Sequence, residues 1–104
     1  MYFPLLLDVR GRLAVVIGGG AVAERKVETL LPYGAHIRLF SPTLTTRLAQ
    51  YAAEGRVEVH RRAYQPGDLE GAFLVFAATD HSEINRQVFQ EAVQRGQLVN
   101  VADR

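Results

Sequence analysis

The chain has 104 residues, with 12 lysines and arginines against 11 aspartates and glutamates and a formal net charge of +1 at pH 7. Scattered arginines at near-neutral charge make no case for nucleic acid or for an anionic membrane surface. The absence of cysteine excludes disulfides and thiolate metal sites and fits a reducing compartment.

Nearly half of the residues are apolar, in one continuous pattern without repeat, linker or low-complexity tract, so residues 1–104 read as one domain with its own core. Residues 1–7 are apolar but lack a basic flank and end at Asp8. That run is too short for a signal sequence or a spanning helix, and the chain reads as cytoplasmic. Residues 4–9 are expected to form an extended lead-in that lays apolar side chains over the edge or end of a sheet, before Gly11 turns the chain into its first strand.

Leu13 to Ile17 is an unbroken apolar run bounded by glycine, the pattern of a strand buried on both faces of a parallel sheet. Gly18, Gly19 and Gly20 follow, and a helix is expected from about Ala21. Its inward face is Ala23, Val27, Leu30 and Leu31, its outer side carries Glu24, Arg25, Lys26 and Glu28, and Pro32 and Gly34 stop it. Residues 35–40 read as the second strand, closed by Ser41-Pro42. Thr43 is placed to N-cap the next helix, whose face is Leu44, Leu48, Tyr51 and Ala52 and whose end is Gly55.

Residues 57–60 predict a short third strand, and residues 61–71, with Pro66-Gly67-Asp68, a loop with one helical turn. A fourth strand is expected over residues 72–77. After Thr79-Asp80 comes a helix with Ile84, Val88, Phe89, Ala92 and Val93 inward, ended by Gly96, and then a fifth strand over residues 97–101. Strands alternating with helices imply an α/β fold: a Rossmann-like doubly wound parallel sheet of five strands, order 3-2-1-4-5. Such sheets bind ligands outside the carboxyl ends of the strands, at the switch between strands 1 and 4. That rule nominates residues 18–22, 41–43, 79–80 and 100–103.

The first of these is Gly18-x-Gly20-x-x-Ala23, a dinucleotide-binding pattern in which each position has a physical task. Gly18 allows the tight turn, Gly20 lets a pyrophosphate approach the main chain, and Ala23 permits close packing of helix on strand. The phosphates would meet the free N–H groups and the positive end of the helix that begins near Ala21. At the end of the second strand, Phe40-Ser41-Pro42-Thr43 replaces the acid that usually holds the ribose 2′-OH. Ser41 or Thr43 can bond the ribose, Arg38 or Arg47 can favour a 2′-phosphate, or the stretch is only a turn and cap. The residues alone leave NAD and NADP open.

Thr79 and Asp80 either cap the helix they open or line the nicotinamide side of the crevice. His36, His60 and His81 are in no metal-ligand spacing, and no metal site is expected. Asp103 follows the fifth strand at the carboxyl edge, where a carboxylate either accepts a proton as hydride leaves a substrate or is simply solvated.

These residues also resemble a family, the precorrin-2 dehydrogenases and N-terminal domains of siroheme synthases. The likeness rests on Phe3-Pro4-Leu5-Leu6-Leu7-Asp8, the run from Gly18 through Ala23-Glu24-Arg25-Lys26, Gly34-Ala35, Ala77-Ala78-Thr79-Asp80, Asn85 and Asn100-Val101-Ala102-Asp103. It spans essentially the whole chain. It implies NAD as cofactor, held by Gly19 to Val22 and by Pro42-Thr43, and oxidation of precorrin-2 to sirohydrochlorin with Asp103 as the catalytic residue. For some members it implies insertion of Fe²⁺ into the product. Ala102 stands where the pattern has a second valine. A dimerisation region, and hence a homodimer, and a helical tetrapyrrole-holding domain are implied beyond residue 104. Two other readings compete: a non-catalytic NAD(H)-sensing regulatory domain, and a Rossmann-like scaffold that binds no nucleotide.

Overall fold

A computed structural model of the chain describes residues 3–102. In chain order they form β1 (Leu13–Ile17), α1 (Ala21–Leu30), a short 3-10 turn (Leu31–Tyr33), β2 (His36–Phe40), α2 (Thr46–Ala53), β3 (Glu58–His60), β4 (Leu74–Ala77), α3 (Ser82–Gln94) and β5 (Leu98–Val101). All strand pairings are parallel and the sheet order is β3-β2-β1-β4-β5, the doubly wound arrangement expected from the sequence. Strands β2 to β5 begin slightly later than expected, whereas their carboxyl ends fall where the sequence puts them.

The alternation along β1 explains its uniformly apolar sequence. Ala14 and Val16 face α1 and α2, packing with Ile37, Leu39, Ala23, Val27 and Leu48. Val15 and Ile17 face the other way, into a cluster with Phe40, Val75, Val88 and Ala92 of α3 and Leu69 from the segment after β3. A central strand covered on both faces leaves no position for a polar side chain.

Register carries this order to the edge where a ligand would bind. Ile17 pairs with Phe40 and Ala77, Phe40 with His60, and Ala77 with Val101, so all five strands end in line. The ladder runs one residue further. Gly18 N–H donates to Phe40 O at 3.0 Å, Ser41 N–H to His60 O at 3.1 Å, and Ala78 N–H and Ala102 N–H to Ile17 O and Ala77 O at 2.8 Å. The loops that follow therefore leave from a common line.

Three expectations are corrected. The lead-in does not cover the sheet: Phe3 is 88% exposed and Leu6 99%, and only Val9 is buried. The turn at Gly11, whose N–H donates to Gly34 O, sets this segment beside Pro32 to Gly34 at the amino end of the strands, where the sheet faces are already covered. On α3, Val88 and Ala92 are buried as expected, but Phe89 and Val93 are exposed, and Asn85 takes an inward place instead. Helix α2 is capped by Thr45 rather than Thr43: the Thr45 hydroxyl accepts from Leu48 N–H at 3.1 Å.

Leu48 and Val93 give a direct test of this packing. In urea unfolding, Leu48→Ala should cost about 2–5 kcal/mol, as for other buried leucines. Val93→Gln should cost less than about 1 kcal/mol, as for an exposed helical position. Equal losses would mean that the Val93 face is packed.

Candidate functional site

The loops leaving the strand ends enclose a cavity of about 420 Å³. Gly18, Gly19, Gly20, Ala21 and Val22 line it from β1, Ser41, Pro42 and Thr43 from β2, and Thr79 and Asp80 from β4. Every residue expected to hold a cofactor thus borders one space, of a size typical for small-molecule sites. Ala102, after β5, lines it as well. Asp103, the expected catalytic carboxylate, lies outside the described residues.

The glycines fit a dinucleotide for different reasons. Gly18 has φ +134°, and a Cβ there would come within 2.3 Å of Ala78 O. A Cβ on Gly19 would meet Thr43 O at 2.0 Å and the Ser41 hydroxyl at 2.7 Å. These two let the neighbouring loops pack against the turn. Around Gly20 the space is open: among the described residues, its chain neighbours aside, no atom lies within 4 Å of where a Cβ would stand. Gly20 also caps α1 with no side-chain bond, and among the described residues no acceptor takes the N–H groups of Gly19, Gly20, Ala21 or Val22. Four free donors at a helix amino end, with room above them, match a phosphate.

Beyond β2, Ser41 is buried and its hydroxyl donates to Thr43 O at 2.7 Å, so it holds the turn. Gly19 O accepts from Thr45 N–H at 2.9 Å, which keeps the chain extended past Thr43 and delays the start of α2. The exposed Thr43 hydroxyl is therefore left without a partner among the described residues. Arg38 and Arg47 do not reach the cavity: Arg38 Nε donates to Glu58 at 2.9 Å and Arg47 to Glu28 at 3.3 Å. Among the described residues, no lysine or arginine lines it.

Beyond β4, neither Thr79 nor Asp80 caps α3, which starts after His81. The Thr79 hydroxyl donates to Asn85 Oδ1 at 2.7 Å, and Asn85 Nδ2 donates to Thr79 O at 3.0 Å. The buried Asn85 thus fixes this loop against α3, a role that its inward position on a helix could have signalled. Asp80 points to solvent, its side chain 89% exposed.

Sequence reasoning missed the apolar floor. Ile17, Phe40 and Ile84 line the cavity on the α3 side, with Ala63 and Tyr64 from the segment after β3. The alternation of β1 and β2 could have placed Ile17 and Phe40; nothing local marks Tyr64. The Tyr64 hydroxyl donates to Glu91 of α3, which also accepts from Arg95 Nε at 2.8 Å and Gly67 N–H at 3.2 Å. Burial and the adjacent Glu91 carboxylate push the Tyr64 hydroxyl well above its ordinary range. Burial raises Glu91 too, but its donors outweigh this and hold it below the usual carboxylate range.

A doubly wound parallel sheet with an open glycine turn at its switch point defines a nucleotide-binding domain of the Rossmann type. Over residues 5–104 the sequence matches the family described as putative NAD(P)-binding. It is 44% identical over 102 residues to the siroheme synthase of Photorhabdus laumondii, covering 98% of this chain and 22% of that protein. To the siroheme synthase of Nitrosococcus oceani it is 39% identical, with the same coverage. Among solved structures it is similar to SirC, a precorrin-2 dehydrogenase, with a TM-score of 0.87 and 31% identity over 97% of this chain and 49% of that one. The chain belongs to this NAD(P)-binding family, the one shared by siroheme synthases and precorrin-2 dehydrogenase. It spans about a fifth of the length of the curated relatives and about half of the solved one.

Two glycine variants separate packing from ligand approach. Gly19→Ala, which must displace Thr43 O, should lower stability by about 1–3 kcal/mol. Gly20→Ala should stay within about 1 kcal/mol of the parent, because its Cβ enters open space. Thermal unfolding of both checks the order, and a larger loss at Gly20 would contradict the geometry.

Proposed function

We propose that this chain is the NAD-binding domain of a precorrin-2 dehydrogenase, acting in siroheme biosynthesis. The observation that carries the reading is the set of free N–H groups above an open Gly20, in a chain similar to a solved precorrin-2 dehydrogenase over 97% of its length. The backbone of Gly18, Gly19, Gly20, Ala21 and Val22 would hold the pyrophosphate. Ser41, Pro42 and Thr43 would border the adenosine ribose, with the Thr43 hydroxyl as its donor or acceptor. Thr79 and Asp80 would border the nicotinamide side. NAD is preferred over NADP, because among the described residues a 2′-phosphate would find no lysine or arginine in the cavity lining, and Arg38 and Arg47 are engaged by Glu58 and Glu28.

When bound, the nicotinamide supplies a hydride acceptor for the reduced macrocycle. Asp103 follows the cavity-lining Ala102 in sequence, and its carboxylate would accept the proton that must leave with the hydride. In a longer protein the same group is suited to take pyrrole N–H protons as Fe²⁺ enters as a substrate, and two chains would pair as a homodimer. No helix among the described residues is long and apolar enough to cross a membrane, and the proposed place of action is the cytoplasm. The competing NAD(H)-sensor reading gains no support from these likenesses, which are to enzymes.

Titration with NAD⁺, NADH and NADP⁺ tests the cofactor. Saturable binding of NAD⁺ and NADH, lost in Gly20→Asp, is expected, with NADP⁺ weaker by about tenfold or more. Equal affinity for NADP⁺ would remove the NAD preference, and no binding of any of the three would remove the reading.

The role of Asp103 is tested in a longer protein that contains this domain. Asp103→Asn should lower precorrin-2 turnover by about 10²–10⁴-fold and leave NAD affinity unchanged. Full turnover in that variant would sink the assignment.

A further inference from the structure

The segment between β3 and β4 occupies the place of a crossover helix, yet it is built of turns and side-chain ties. Arg62 donates to both carboxylate oxygens of Asp68 at 2.8 and 2.9 Å, and Gln65 N–H reaches the same group at 2.7 Å. Arg62 also lies over the Phe40 ring, 4.9 Å from its centroid. Glu91 of α3 then accepts from Gly67 N–H and from the Tyr64 hydroxyl, and Arg95 holds Glu91 in place. A loop tied this heavily at the border of a cavity keeps one side chain in one position. That side chain is Tyr64.

Tyr64 borders the cavity with its hydroxyl spent on Glu91, so its ring is the part left for a ligand to meet. Ile17, Phe40 and Ile84 complete an apolar wall there. A flat heterocycle is the ligand chemistry such a wall takes, since every base has a π-face to stack. The side of the crevice decides which heterocycle. Tyr64 enters from the loop leaving β3, which borders β2, whereas Thr79 and Ala102 follow β4 and β5 on the other side of β1. With phosphates at the turn after β1, a dinucleotide across the crevice has one ring on each side.

We propose that Tyr64, latched by Glu91, recognises the adenine ring of the dinucleotide by stacking, with Glu91 as the positioning residue. The inference rests on the reading of the chain as an NAD-binding domain and adds to it the group that reads the adenine half. Latching gives the wall contact area with little conformational freedom left to lose on binding.

The test is calorimetric titration of the chain and its variants with NAD⁺ and with ADP-ribose, which keeps the adenine half and lacks nicotinamide. Tyr64→Ala should weaken both ligands by about tenfold or more. Tyr64→Phe keeps the ring and loses the latch, and should weaken both by only about threefold. ADP-ribose should quench tyrosine emission in the parent, and Tyr64→Phe should lose that quenching while still binding. This second readout decides the matter if Tyr64→Ala fails to fold. Parental ADP-ribose affinity in Tyr64→Ala, or parental quenching in Tyr64→Phe, would overturn the inference and leave NAD binding intact. Loss confined to NAD⁺ would put the ring at the nicotinamide end and overturn it too. A parent chain that binds neither ligand would bring down both readings.

Discussion

The crevice depends on two places where backbone meets backbone because a Cβ is missing. At Gly18 the space a side chain would fill belongs to Ala78 O, and at Gly19 it belongs to Thr43 O. The loops after β1, β2 and β4 can therefore close on one another directly above the strand ends. Bonds from Thr45 N–H to Gly19 O and from Ala78 N–H to Ile17 O hold them there. Of the three glycines of this turn, Gly20 is the one whose missing side chain no described residue replaces. The opening that remains thus lies at the amino end of α1, where unpaired N–H groups and the helix dipole favour an anion.

Among the described residues, what the cavity offers an anion is main-chain N–H groups rather than a lysine or arginine. The arginines near the crevice are engaged by carboxylates: Arg38 with Glu58 and Arg47 with Glu28 between elements, Arg62 with Asp68 within the loop after β3, and Arg95 with Glu91 at the end of α3. Asp68 illustrates the balance. Burial pushes its carboxyl up, while Arg62 and Gln65 N–H pull it down further, so it stays ionised and keeps the loop after β3 in place. The proposed phosphate binding by backbone and ring contact with an apolar floor are compatible, because neither would require an unpaired charge to be kept in the cavity of the free protein.

Much of the fold was legible. The unbroken apolar run of β1, the glycines after it and the alternation of strands and helices led to the sheet order, and strand ends were read correctly because turn residues mark them. Strand starts were not, because where a parallel ladder begins depends on which neighbour reaches far enough to bond. The cap at Thr45 was misread as Thr43, since both residues suit an N-cap and only the bond of Thr45 N–H to Gly19 O selects between them. Phe89 and Val93 looked inward by helical spacing, yet the buried stripe runs through Asn85, Val88 and Ala92, because Asn85 must reach Thr79.

Local chemistry by itself determined the glycine turn, the strand that feeds it and the edge at which a ligand would sit, since backbone angles, missing Cβ atoms and apolar periodicity act over a few residues. Tertiary structure alone decided what faces that edge. Residues as distant in sequence as Gly20, Thr43, Tyr64 and Thr79 share one cavity because strand register brings their loops to a common line. Tyr64 borders it with its hydroxyl bonded to Glu91, on a helix that follows another strand. Such a bond joins two segments with no local relation, and no spacing in the sequence encodes it.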